Sequence, residues 1–204
     1  MVKPLFLNFL STLCIASVIC NAAPRPRVTV TRASIDVDQD GIPETVSVQM
    51  ISGRRYNDTN VWCGMGEKYE GSFAVVVDIH GRRVETLLDP LLGGGPLWFP
   101  TQPWKLVMGH YNDDGQIYFN LGQYAGCNGW RYRLLSIRPT GRVEMVSLDF
   151  RANDFAPSTS QITRVENGFR VTDYSNARGG NWETTYRWNP TTRTFERESV
   201  RRID

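Results

Sequence analysis

Histidine, cysteine and lysine are the scarce residues of this 204-residue chain. Two His and four Cys leave little material for a zinc centre, whose closed form takes four mostly nitrogen and sulfur ligands. Lys occurs only at Lys3, Lys68 and Lys105, so nearly all positive charge is Arg. The 23 basic and 21 acidic residues give a net charge of +2, without the one-sided basic bias of a nucleic-acid binder. No long stretch carries a helical stripe, and no apolar run after residue 22 approaches membrane-spanning length. H-E-x-x-H, G-x-S-x-G and the P-loop are all missing, and Gly93-Gly94-Gly95-Pro96 lacks the Lys-Ser/Thr that phosphate binding uses. With 21 acids, a carboxylate pair such as Asp149 and Asp154 arises by coincidence and does not by itself argue glycoside hydrolysis. These absences argue against an enzyme. What remains, 41% hydrophobic and 22% charged, is the balance of an ordinary globular domain and excludes disorder, collagen and coiled coil.

The first residues stand apart. Residues 1–22 run from Lys3 through an apolar stretch, Leu5 to Ile19, to Cys20-Asn21-Ala22. That order matches a secretory signal peptide cut after Ala22, which leaves residues 23–204 as a single domain, periplasmic or secreted. Ile19 stands before Cys20, where a lipoprotein signal needs a small residue, so lipidation is the weaker reading. Loss of Lys3 with the leader takes the net charge to +1. Cys14 and Cys20 leave too, and Cys63 and Cys127 remain. In an oxidising compartment these two are expected to form one disulfide, closing a loop of roughly 65 residues and contributing about 4 kcal/mol. The alternative, a free thiol activated by His80 or His110, is a catalytic Cys-His pair.

The mature chain reads as strands and turns throughout. Val28–Thr31 and Glu44–Ile51 alternate with period two, Phe73–Ile79 is a β-branched run, and Val84–Leu88 follows the His80-Gly81 turn. Leu106–His110 and Gln116–Leu121 flank an Asn-Asp-Asp-Gly turn. Arg131–Ile137 and Arg142–Leu148 flank Pro139-Thr140-Gly141, and Gln161–Val165 and Phe169–Thr172 flank Asn167-Gly168, the strongest hairpin signal in the chain. Glu183–Trp188 and Thr194–Ser199 flank Asn189-Pro190. The expected fold is all-β, built of antiparallel hairpins as a sandwich or propeller-like stack. Irregular loops are expected at 53–71, 90–103 and 176–181.

The sharpest local signal is Asp36-Val37-Asp38-Gln39-Asp40-Gly41-Ile42-Pro43-Glu44. Ca²⁺ takes six to eight oxygens, and a D-x-D-x-D-G turn wraps three carboxylates around one point. Gly41 allows the sharp bend, the Ile42 carbonyl can serve as a ligand, and Glu44 falls at loop position nine. An EF-hand needs Glu at position twelve, which here is Ser47, and the flanks read as strands. The pattern resembles the calcium loops of FG-GAP and related β-propeller repeats over residues 33–48, with Glu44 where Asp is usual. That resemblance implies a structural calcium ion held by Asp36, Asp38, Asp40, Ile42 and Glu44. An acidic turn without an ion is the alternative. A degenerate copy follows at His110-Tyr111-Asn112-Asp113-Asp114-Gly115, where His110 and Tyr118 replace the first and last carboxylates. It reads as a related turn in a repeated sheet unit rather than as a second ion site.

Beyond the calcium loop, the strand Val46–Ile51 runs into Ser52-Gly53-Arg54-Arg55-Tyr56. This S-G-x-x-Y pattern resembles a motif of bacterial lysozyme inhibitors, which push a loop carrying that Ser and Tyr into the lysozyme cleft. With the leader and the calcium loop, the chain resembles a class of exported, propeller-like immunity proteins linked to bacterial type IV secretion. The resemblance implies an inhibitor of a lysozyme-like glycoside hydrolase, with Ser52, Gly53, Arg54, Arg55 and Tyr56 as its binding loop. Alternatively, these residues form a surface turn with solvated Arg and a Tyr packed on the sheet. A rival function is a carbohydrate- or peptidoglycan-binding module using Trp62, Tyr69, Tyr124 and Trp130 as a stacking platform; a structural envelope protein is a third reading.

Overall fold

Short strands separated by Gly-, Asn- and Pro-containing turns bury themselves most simply as antiparallel meanders, and this chain does so three times. The computed structural model describes residues 27–60, 66–125 and 129–204. Strands β1 (Val28–Ile35), β2 (Glu44–Asp58), β3 (Gly66–Ile79) and β4 (Arg82–Leu87) form the first sheet in sequence order. A short helix, α1 (Asp89–Leu92), leads to β5 (Leu97–Pro100), which returns to pair with residues 68–71 of β3. The second sheet is β6 (Met108–Gly109), β7 (Ile117–Tyr124), β8 (Trp130–Ile137) and β9 (Val143–Arg151). The third is β10 (Ile162–Val165), β11 (Gly168–Tyr174), β12 (Asn181–Asn189) and β13 (Thr194–Arg202). All pairings are antiparallel. The domain is all-β, with three sheets and no closed barrel among the described residues.

Side-chain alternation sets the layering. On β7, Ile117, Phe119 and Leu121 join a core with Phe73, Val75 and Val77 of the first sheet. The intervening Tyr118 joins a second core with Phe169, Tyr186 and Phe195 of the third sheet. The second sheet is therefore the middle layer, covered on both faces. This explains why β7 is buried from Ile117 to Gly122, a continuous rather than alternating pattern. The outer face of the first sheet is polar, with Arg83 donating to Gln49 and Arg27 paired to Glu85.

Each sheet contributes its first and third turns to one end of the stack and its second turn to the other. Residues 36–43 and 110–116, the two acidic turns, are the first turns of successive sheets. Gln39 of one donates to the Gly115 carbonyl of the other at 2.8 Å. At the opposite end lie the end of β2 and start of β3, the end of β7 and start of β8, and residues 175–180.

Three expectations change. Residues 53–58 and 66–71 are not irregular, because β2 and β3 continue through them as a ribbon paired from Ser52–Ser72 to Asp58–Gly66. Residues 90–103 hold α1 and β5, and the strand expected at Leu106–His110 shrinks to Met108–Gly109. The signal peptide expected at residues 1–22 and the disulfide expected between Cys63 and Cys127 fall outside the described residues. No helix among the described residues is long and apolar enough to cross a membrane.

Candidate functional site

The acidic turn folds as its residue types require. Gly41 adopts φ of +89° and Gln39 +65°, the left-handed conformations that let a short turn reverse direction. The Asp36 carboxylate accepts the Gly41 N–H at 2.9 Å, and Asp40 accepts the Ile42 N–H at 2.8 Å. Glu44, only 4% exposed, accepts the Val37 N–H at 2.7 Å. One ligand atom from each of Asp38, Asp40, Glu44 and His80 lies within 4.8 Å of the others. Calcium binds oxygens at 2.3–2.6 Å, so opposed ligands stand up to about 5 Å apart and one ion fits this spacing. Further, Asp36 Oδ1 and Asp38 Oδ1 are buried with no hydrogen-bond donor. Buried carboxylate oxygens without donors are costly, and a hard cation is the partner they suit. Ile42 is 60% exposed, so its backbone rather than its side chain is what the turn can offer.

His80 was not expected here. It occupies the third turn of the first sheet, at the same end as the acidic turn, and its Nε2 lies 2.9 Å from Asp38 and 3.4 Å from Asp40. The hydrogen bond and charge of Asp38 raise its pKa, with smaller contributions from Asp40 and Glu44. The ring is half exposed and brings a positive charge to the acids when protonated. Only the sheet topology brings it there, because His80 is remote in sequence from the turn.

The second acidic turn is internally satisfied. Asp114 accepts the Tyr118 hydroxyl at 2.6 Å, the Gln116 side-chain amide at 2.6 Å and the Gln116 N–H at 3.0 Å. Asn112 donates to the same hydroxyl at 3.2 Å. A neutral O–H thus neighbours Asn112 and Asp114, the residues in register with Asp38 and Asp40 of the first turn. Burial first, then Asp114, pushes the Tyr118 pKa upward, so the phenol stays protonated and keeps donating.

At the other end, β2 extends past the end of β1 and pairs only with β3 over residues 52–58. A bulge between Met50 and Ser52 precedes this arm. Gly53 and Gly71 face each other there with their backbones in contact: a Cβ on Gly71 would stand 2.0 Å from the Ser52 carbonyl oxygen. Beyond the bulge, Ser52, Arg54 and Tyr56 alternate onto one face, and all three are exposed. Arg54 donates through Nε and Nη2 to Glu70 at 2.9 and 2.8 Å, and Arg55 pairs with Glu67. Arg54 holds the Glu70 pKa below the usual carboxylate range.

Under Tyr56 lies a buried lysine. Lys68 is 2% exposed, its ammonium 5.0 Å from the Tyr56 ring centroid and 3.6 Å from that of Trp98. Asp58 lies 3.7 Å away. A lysine so deeply covered needs partners, and two ring faces and a carboxylate supply them. The Trp98 indole donates to Glu70 at 3.1 Å, tying β5 into the same network. The expected binding residues therefore occupy a rigid strand rather than a flexible loop. The Arg pair is already neutralised: Arg54, Arg55 and Lys68 stand against Asp58, Glu67 and Glu70.

The aromatic platform takes a different form. Trp130 is 5% exposed, Tyr69 packs against the first core, and Tyr124 meets Trp130 edge-on at 6.2 Å. Trp62 lies outside the described residues. These three described rings are packing groups rather than an open stacking surface. No protein-family model, curated protein or solved structure matches the chain.

Proposed function

We propose that this is an exported, calcium-stabilised binding protein whose β2–β3 arm enters the cleft of a lysozyme-like cell-wall hydrolase as an inhibitor or immunity factor. The observation that carries the reading is the exposure of Ser52, Arg54 and Tyr56 together on one face of an arm that outruns its neighbour β1. A glycosidase cleft presents two carboxyl groups across the scissile bond. The Ser52 and Tyr56 hydroxyls can donate to them, and Arg54 Nη1 makes no hydrogen bond among the described residues while Nε and Nη2 meet Glu70. Because the arm's six charges cancel, recognition rests on short-range hydrogen bonds rather than on long-range attraction. The Lys68–Trp98 stack beneath Tyr56 holds the arm in place before binding, which reduces the entropy lost on association.

The test is Tyr56→Phe against a lysozyme that the wild type inhibits. The change removes one hydroxyl and leaves the ring over Lys68. Hydrogen bonds to charged groups contribute about 1.5–3 kcal/mol, so the inhibition constant is expected to rise roughly tenfold to a hundredfold. An unchanged constant would count against the arm as the inhibitory element.

A further inference from the structure

A second recognition surface lies between the second and third sheets, and it does not depend on the arm. Two clefts meet there at Asp173. One, of about 350 Å³, is lined by Arg131, Arg151 and Arg178 together with Asp149 and Tyr186. The other, of about 370 Å³, is lined by Phe155, Tyr174, Asn153, Asp154 and Asn176. Together they form a trough with a cationic half and an aromatic-amide half.

The cationic half differs from most of the described arginines, which meet a carboxylate within 4.0 Å. Arg131 and Arg151 stand directly opposite each other on β8 and β9, a like-charge pairing that destabilises a sheet unless something neutralises it. Asp149, their nearest acidic neighbour in register, is taken by Arg133 at 3.0 Å. Arg178 stacks on Trp182 at 4.1 Å and reaches Ser175. None of the three has an ion-pair partner among the described residues. Asp173 feels the charge of Arg151 and Arg178, though burial outweighs both and raises its pKa, and it makes no ion pair within 4.0 Å with any of the three among the described residues.

The aromatic half is exposed but fixed. Phe155 is 74% exposed and Tyr174 53%, large rings left open to water. The segment carrying Phe155 is pinned on both sides. Asn153 N–H donates to Thr172 and Gly122 N–H to Pro157, while the Tyr132 hydroxyl donates to Ala156 at 2.7 Å. Asn120, fully buried, pairs with Thr159 through both its amide groups. Holding an apolar ring in solvent on a rigid segment is what a stacking surface requires. Amides and carboxylates beside open rings suit the hydroxyls and C–H faces of sugars.

We infer that this trough binds a saccharide carrying carboxylate groups, with Phe155 and Tyr174 against the ring faces and Arg131, Arg151 and Arg178 holding the acid groups. The test is calorimetric titration of the mature chain with tetragalacturonate and with a disaccharide containing N-acetylmuramic acid. Fully methyl-esterified tetragalacturonate supplies the same rings without charge, and an acidic tetrapeptide supplies charge without rings. At least one acidic saccharide is expected to bind saturably and at least tenfold more tightly than the ester or the peptide. Arg151→Gln should remove most of that preference, and Tyr174→Ala should weaken binding at least fivefold, while both leave lysozyme inhibition unchanged. The proposal is overturned if neither acidic saccharide binds, if the peptide or the ester binds as well, or if Arg151→Gln has no effect.

Discussion

Calcium added to chelator-treated protein is expected to raise the melting temperature by about 5–10 °C. At a hundredfold excess over the dissociation constant, a ligand that binds only the folded state adds about 2.7 kcal/mol. For a domain of this size each kcal/mol shifts the midpoint by roughly 2–4 °C. The source of the gain is local. Asp36, Asp38, Asp40 and Glu44 are held in one turn, two of their oxygens are buried without donors, and His80 approaches from a separate hairpin. Asp38→Ala should abolish the response, because Asp38 supplies both an orphaned oxygen and the contact with His80. Asn112→Ala in the second turn should lower the baseline through its lost bond to Tyr118 while leaving the calcium response intact. Magnesium, smaller and bound to its waters, should stabilise much less. A melt insensitive to both chelator and calcium would exclude the ion.

Gly71→Ala is expected to destabilise the domain by about 3 kcal/mol, the upper range for overpacking. The new methyl would sit 2.0 Å from the Ser52 carbonyl oxygen and 2.6 Å from the Gly53 Cα. Both are backbone atoms, so no side chain can turn aside. Relief requires separating β2 from β3 where the arm begins. Lysozyme inhibition should therefore fall with stability, measured at a temperature where the variant is still folded. Gly41→Ala is the informative comparison. Its added Cβ meets nothing within 4 Å, so only the φ of +89° opposes it, at a cost of about 1–2 kcal/mol. Chemical denaturation of both variants checks the order; equal losses would show that the Gly53–Gly71 contact is not as tight as described.

Much of the fold can be read from turn chemistry alone. Asn167-Gly168 marks the β10–β11 reversal, with Asn167 at φ of +48°, and Pro139-Thr140-Gly141 marks β8–β9. These turns work through local backbone preference, which needs no knowledge of the rest of the chain. The arm was illegible for the opposite reason. Residues 52–58 are exposed except at Asp58, so they show no apolar alternation, and what orders them is cross-strand: Arg54 with Glu70, Arg55 with Glu67, Tyr56 over Lys68. β5 carries no sequence signal of its own because its four residues are ordered by pairing with a distant segment of β3. The acidic turn is visible because its carboxylates lie within nine consecutive residues. His80 and the Arg131–Arg151 pair are not, since strand pairing within a sheet sets their neighbours, and only the packing of the third sheet on the second adds Arg178 to that pair. Trp130 shows the converse: a ring that looks like a binding group in sequence is packing once the second core forms around it.

The most direct measurement is the rate of peptidoglycan lysis by a broad panel of lysozymes, titrated with the purified mature protein in calcium. The predicted result is saturable inhibition of at least one enzyme, lost on Tyr56→Ala and retained on Arg151→Gln. No inhibition of any enzyme in the panel by the folded, calcium-loaded wild type would contradict the account.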